Sequence, residues 1–222
     1  MLFQELRKGG IKMNYDKVCT EILEKIKTEE KKPTLLLQAC CAPCSSAVLE
    51  RLASFFSISM FFYNPNITEE REYEKRKEEL QKFLSLKYPM ITLLNCPYEK
   101  EAFLLKTKGL EKEKEGGKRC YACYSLRLEK AALVAKEHHF DYFGTTLSIS
   151  PYKNSKWLNE IGEELAKKYQ VNYLYADFKK KNGYKRSIEL SHLYYLYRQD
   201  YCGCVYSKIE REQKKREESL AH

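Results

Sequence analysis

The sequence predicts an α/β protein: an open, mostly parallel sheet of the Rossmann-like kind, flanked by helices and followed by a C-terminal helical segment. Three observations carry that expectation. Short β-rich runs alternate with longer amphipathic runs. There are five such short runs, and strands joined through helices pair in parallel because each crossover returns the chain to the same end of the sheet. The alternation then stops, and the remaining C-terminal stretch reads as helix alone.

Residues 15–27 open the pattern, with apolar side chains near helical spacing. Residues 35–39 (Leu-Leu-Leu-Gln-Ala) are the first strand and 45–54 the next helix; 58–63 and 68–86 repeat the unit. Residues 91–95 are the third strand. Residues 111–117, Glu-Lys-Glu-Lys-Glu-Gly-Gly, read as a flexible loop able to cover a site. Residues 121–138, 141–146, 155–169 and 171–176 continue as helix, strand, helix and strand. Residues 184–199 then read as an aromatic-rich helix stopped at Cys202-Gly-Cys204, where Gly203 suits a left-handed cap. Residues 207–222 are a mixed-charge tail with few apolar anchors, expected as a solvated or frayed helix.

At 222 residues the chain is expected to fold as one α/β unit over 1–222, long enough to bury a sizeable core. Its hydrophobic fraction of 43% and charged fraction of 32% are those of a soluble protein, and no apolar run approaches a membrane span. Residues 1–8 lack the basic, apolar and small-residue order of a secretory leader, so the expected compartment is the reducing cytoplasm, with no membrane partner. There, nine cysteines point to metal binding or redox work more than to structural disulfides. The formal charge of +9 favours acidic partners, RNA among them, although many enzymes carry such a surplus without touching nucleic acid.

Seven of the nine cysteines fall into three groups: Cys40, Cys41 and Cys44; Cys120 and Cys123; Cys202 and Cys204. The first group occupies a strand-to-helix turn, where open α/β folds place ligands. Cys120 and Cys123 begin an amphipathic run, where free N–H groups and the positive end of the dipole favour thiolates. Thiolates from two such groups suit a [4Fe–4S] cluster or a tetrahedral zinc, and spacing does not choose between them. A closed zinc site would join Cys41-Ala-Pro-Cys44 to Cys120-Tyr-Ala-Cys123 and leave Cys40, Cys202 and Cys204 unused; that surplus favours redox chemistry. A disulfide across Cys202-Gly-Cys204 would close a small, strained and easily reduced ring. From spacing, this pair stands equally as an electron relay, as ligands of a second metal, or as a structural feature. Cys19 and Cys96 read as small buried hydrophobes. Cys41-Ala-Pro-Cys44 also fits a thioredoxin-like dithiol exchanger, against which Cys40 and the two other groups argue. No phosphate loop, radical-type cysteine run or H-E-x-x-H helix is present, which removes P-loop ATP use and zinc proteolysis.

Leu37-Gln-Ala-Cys40-Cys41-Ala-Pro-Cys44-Ser, Arg119-Cys-Tyr-Ala-Cys-Tyr124 with Arg127-Leu, Thr145-Thr-Leu-Ser-Ile-Ser-Pro-Tyr-Lys-Asn154, Asn182-Gly-Tyr-Lys-Arg-Ser187 and Tyr197-Arg-Gln-Asp-Tyr-Cys-Gly-Cys204 together resemble the QueH-type epoxyqueuosine reductases over residues 33–206. The resemblance implies reduction of the epoxide of epoxyqueuosine, at the wobble position of tRNA, to the alkene of queuosine. It further implies that electrons come from a donor not identified by the sequence, that cobalamin is not used, and that water is released. Carried onto the matching positions, it implies Cys40, Cys41, Cys120 and Cys123 as ligands of a [4Fe–4S] cluster and Cys202 and Cys204 as a redox-active pair. At Cys44 some members of that family place another metal-binding side chain beside the cluster, so the resemblance admits a second metal there, an adjacent mononuclear iron, and leaves the role of Cys44 open.

A tRNA anticodon loop offers phosphates and unstacked bases, which Lys, Arg and aromatic rings recognise. Tyr184, Lys185 and Arg186, beside Lys179-Lys-Lys181, supply both kinds, and Tyr152, Lys153 and Asn154 are further candidate contacts. Without the resemblance, a solvated loop with a packed tyrosine explains the same residues. Asp177, Tyr152 and Tyr184 are candidate proton donors, each with a packing role as its alternative. His138 and His139 end a helix, where a C-terminal role is simpler than metal ligation. The rival classes are a non-catalytic, zinc-stabilised RNA-binding module and the dithiol exchanger.

Overall fold

A computed structural model describes residues 13–220; the segment read for a leader and the last two residues of the tail lie outside it. Five strands form one sheet: β1 (Thr34–Gln38), β2 (Ser57–Phe61), β3 (Thr92–Leu94), β4 (Tyr142–Thr145) and β5 (Asn172–Tyr173), in the order β3-β2-β1-β4-β5. Every pairing is parallel. The helices are α1 (Tyr15–Ile26), α2 (Ala42–Leu52), α3 (Glu70–Lys87), α4 (Lys100–Lys106), α5 (Lys118–Glu137), α6 (Ser155–Tyr169), α7 (Gly183–Leu193) and α8 (Val205–Leu220), and a 3-10 turn spans Thr146–Ile149.

The central strand shows why the sheet is covered on both faces. Leu35, Leu36 and Leu37 are all fully buried, yet Leu35 and Leu37 pack with α2 residues Val48 and Leu52, whereas Leu36 packs with Leu128 and Ala131 of α5. Successive strand side chains point to opposite faces, so a run of leucines needs a helical layer on each side. The strand order reverses between β1 and β4, which opens a crevice at their carboxyl ends. The chain following β1 carries Cys40, and the chain following β4 carries residues 146–154.

A buried polar network fixes that end of the sheet. The Gln38 amide donates to the carbonyls of Ala39 and Tyr63, both at 3.0 Å, and accepts from the Thr145 hydroxyl at 2.8 Å. Asn64 donates to the Ala39 carbonyl at 2.8 Å and accepts from the Arg127 guanidinium on α5. One set of bonds thus ties β1, β4, the chain after β2 and α5 around the residue preceding Cys40.

Several boundaries differ from the sequence reading. α2 begins at Ala42 and not at 45, because Cys41 takes an extended N-cap conformation and Pro43 suits the first turn. Cys44 therefore lies inside the helix. α4 is an addition to the elements expected from periodicity. The helix expected over 184–199 ends at Leu193, after which Tyr195 adopts φ 52° and the chain runs irregularly to α8. Gly203 does not cap that helix. Its φ of 113° and a close approach require glycine: a Cβ there would lie 2.9 Å from Ile67 Cγ1 and 3.2 Å from Arg76 Nη1. The charged tail is helical through Leu220, and its first turn is docked, with Ser207 buried, while residues 212–220 face solvent.

Candidate metal and redox site

Cys40, Cys41 and Cys44 converge because a strand end, an N-cap and a first helical turn meet at the crevice. Their sulfurs all lie within 4.8 Å of one another, with Cys40 Sγ 3.7 Å from Cys41 Sγ and 3.8 Å from Thr146 Oγ1. Two thiolates on one tetrahedral metal, at about 2.3 Å each, sit roughly 3.8 Å apart, so the spacing fits joint metal ligation. The group shares its charge unevenly. Thiol donation from Cys40 and from Cys44 holds Cys41 well below the ordinary thiol range, with Gln199 assisting. Proximity to Cys41 pushes Cys40 up to about 12, and Cys40 and Cys41 together push Cys44 well upward.

Cys120 and Cys123 stand outside that group among the described residues. Both lie in the first two turns of α5, as expected, but burial outweighs the favourable helix end. It raises Cys120 despite a 3.2 Å hydrogen bond from the Gly116 N–H, and it pushes Cys123 up to about 12. Cys123 packs in a small cluster with Phe103 and Cys204.

Cys202 and Cys204 are both free thiols here. Their surroundings differ. Cys202 lines the crevice, where Lys153 Nζ lies 3.2 Å from its sulfur and Asn66 Nδ2 3.9 Å away. Cys204 is buried away from the crevice and accepts the Ser207 N–H at 3.4 Å; burial, then Cys202, raises it.

The first group and Cys202 face a cavity of about 670 Å³. Cys40, Cys41, Cys44 and Cys202 share its wall with Tyr152 and Tyr184. Buried polar atoms near it lack protein partners: Arg76 Nη2, Arg127 Nε, Tyr124 OH, Asn66 Oδ1 and Gln199 Oε1. Buried polar groups are nearly always hydrogen-bonded, so this concentration beside three clustered sulfurs fits a site that holds a metal or a polar ligand. Of these residues, the sequence motifs contain Arg127, Tyr124 and Gln199; Arg76 and Asn66 carry no local signal.

The loop expected to be flexible is fastened across the site. Arg119, only 2% exposed, donates to the carbonyl of Glu111 at 2.9 Å, to that of Glu113, and to Glu210 of α8 at 2.9 Å, while its guanidinium stacks 4.4 Å from the Tyr206 ring centre. Glu115 pairs with Lys153 at 3.0 Å.

The candidate RNA contacts separate. Tyr152, 73% exposed, and Tyr184 line the cavity mouth. Lys153 is buried against Glu115 and Cys202. Asn154 caps α6, accepting the Trp157 N–H at 3.2 Å. Lys185 is exposed but does not line the cavity. Arg186 grips Glu50 with two 2.8 Å bonds and Glu189 at 3.0 Å, which raises its pKa further. Asp177 receives the Ser155 hydroxyl at 3.1 Å and the Lys179 ammonium at 2.6 Å, away from the cavity. Arg198, Arg211 and Lys214, not singled out from sequence, bring basic side chains to the cavity wall.

A family model described as "Epoxyqueuosine reductase QueH" matches residues 35–210. Proteins of the same description are similar over most of the chain. The one from Staphylococcus aureus is 41% identical over 211 residues, covering 90% of this chain and 86% of the relative. That from Streptococcus pyogenes serotype M1 is 42% identical over 200 residues, covering 88% and 78%. The Thermotoga maritima protein is 36% identical over 189 residues, covering 82% and 93%.

Proposed function

The chain belongs to the epoxyqueuosine reductase QueH family, and on that premise we propose that it is an oxidoreductase that converts epoxyqueuosine in tRNA to queuosine. The observation that carries the reading is the convergence of Cys40, Cys41, Cys44 and Cys202 on one cavity whose mouth presents aromatic and basic side chains. Reduction removes the epoxide oxygen as water, consuming two electrons and two protons, and needs a redox centre beside a pocket that admits a nucleoside.

We further propose Cys40, Cys41, Cys120 and Cys123 as ligands of a [4Fe–4S] cluster and Cys44 as a ligand of an adjacent iron, with no cobalamin. When bound there, such a centre would supply electrons and a Lewis acid for the epoxide oxygen. The chain's own residues do the rest. Cys41, held well below the ordinary thiol range by Cys40 and Cys44, is the sulfur of its group that gives up its proton to a metal at least cost. Cys202 and Cys204 form the redox pair. Tyr152 and Tyr184 stack on unpaired bases, and Arg198 and Lys214 face phosphates. Arg198 suits this, since it donates to the Ser187 carbonyl at 3.3 Å and Ser191 Oγ at 3.0 Å and lies 5.9 Å from the Tyr184 ring centre.

The test is direct. Anaerobically prepared protein, given a chemical reductant and tRNA carrying epoxyqueuosine, should yield queuosine by nucleoside mass spectrometry. Unchanged epoxyqueuosine with protein that has bound iron and sulfide would defeat the proposal.

A further inference from the structure

Lys153 stands apart from the basic residues at the cavity mouth. It is 8% exposed, and its ammonium lies 3.0 Å from Glu115 Oε1 and 3.2 Å from Cys202 Sγ. Burial alone would push its pKa down, but the Cys202 sulfur, then Tyr124 and Glu115, hold it well above the ordinary lysine range. A buried ammonium is costly unless partnered, so this charge belongs to the site it faces. Its brace is also fixed. The Glu115 N–H donates to Glu210 at 3.2 Å, and Arg119 holds that same carboxylate. Cys204, by contrast, packs with Phe103 and Cys123 and does not line the cavity.

We propose that Lys153, braced by Glu115, is a positioning residue that fixes the Cys202 sulfur at the cavity wall and so makes Cys202, not Cys204, the sulfur at which an external dithiol reductant opens the oxidised pair. The inference rests on reading these two cysteines as a redox pair. The external thiolate attacks Cys202 Sγ, the S–S bond breaks, and Cys204 leaves as a thiolate that takes a proton. The second external thiol then attacks its own partner sulfur, releasing Cys202 with the bonding pair while the external dithiol becomes a disulfide. The departing Cys202 sulfur leaves against the Lys153 ammonium, which stabilises the charge it acquires.

Forming and breaking a mixed disulfide pass through the same species, so trapping in the forward direction reads the geometry. Full-length Cys204→Ser and Cys202→Ser proteins, purified anaerobically, are treated with glutathione disulfide, and the adduct is located and timed by mass spectrometry across pH. Cys202 should form its adduct about tenfold faster than Cys204. Adding Lys153→Met should slow the Cys202 adduct by about tenfold and move its pH profile, Lys153→Arg should restore most of the rate, and Glu115→Gln should fall between them. Faster reaction at Cys204 overturns the proposal, as does a Cys202 rate and pH profile unchanged by Lys153→Met. Should Lys153→Met fail to fold, the comparison of Cys202 with Cys204 and the Arg variant still decide. No tRNA enters the measurement, so failure of the proposed epoxide reduction would leave this result standing.

Discussion

Cys41 and Cys123 are both buried thiols, yet their neighbours drive them in opposite directions. Cys41 has sulfurs on either side to donate to it and falls below the usual range, whereas Cys123 lies among Phe103 and Cys204 and rises to about 12. A thiol that must lose its proton to bind metal does so at a cost that grows as its pKa rises. If Cys123 is a ligand as proposed, its loading releases a proton and should weaken as pH falls, which metal uptake followed between pH 6 and 9 would show. If Cys120 and Cys123 complete the cluster, Cys120→Ser should lower iron and sulfide content in anaerobically reconstituted protein, and a full complement would exclude it as a ligand. Tyr152 offers a test on the substrate side. Its ring stands largely exposed at the cavity mouth, so Tyr152→Ala should raise KM for tRNA by about tenfold, the worth of one base stack, with kcat and the melting temperature little changed.

At the scale of elements, the site depends on a few long-range polar bonds. Asn64→Ala would leave the Ala39 carbonyl with the Gln38 amide alone and strand one arm of the buried Arg127, and should cost about 2–4 kcal/mol in denaturant unfolding. A loss below about 0.5 kcal/mol would mean that water replaces the network. Bonds of this kind explain where the sequence is readable. All five strands and the strand-end position of Cys40 follow from periodicity and local turn chemistry, which act over a few residues. The end of α7 does not, because it turns on the left-handed conformation of Tyr195, a residue with no glycine's freedom to announce it. The same limit hides the separation of Cys202 from Cys204, one facing the cavity and the other the core. Spacing records that the two are neighbours; only the docking of α8, through Ser207 and the Arg119–Glu210 pair, decides which way each points. The partners of Lys153 are hidden for the same reason. Its place in a basic, aromatic stretch suggests an RNA contact, but Glu115 and Cys202 reach it from distant parts of the chain.

The whole molecule gathers its chemistry at one edge. Because the strand order reverses between β1 and β4, the chain after each strand flanks the same crevice, and α8 crosses it to add Arg211 and Lys214 to the wall. The acidic residues there are already engaged. Glu115 is paired with Lys153, Glu210 with Arg119, and Asp200 with Arg211 and Lys215, the last at 2.5 Å. Basic side chains outnumber those carboxylates along the wall, and Arg198 is met by serine oxygens and not by an acid, so the wall keeps a positive surplus. A polyanion docking there displaces counterions, so the logarithm of the tRNA association constant should fall linearly with the logarithm of salt concentration. Each basic contact to a single-stranded phosphate contributes about 0.7 to that slope. Lys214→Gln, at an exposed position of α8 remote from the core, should then lower affinity at low salt, flatten the slope by about 0.7, and leave iron content unchanged. Filter-binding titrations over a salt series measure both quantities together. An unchanged slope would place the RNA on another face, whereas a flattened slope with unaltered metal would assign the last helix to substrate docking and separate that role from electron transfer.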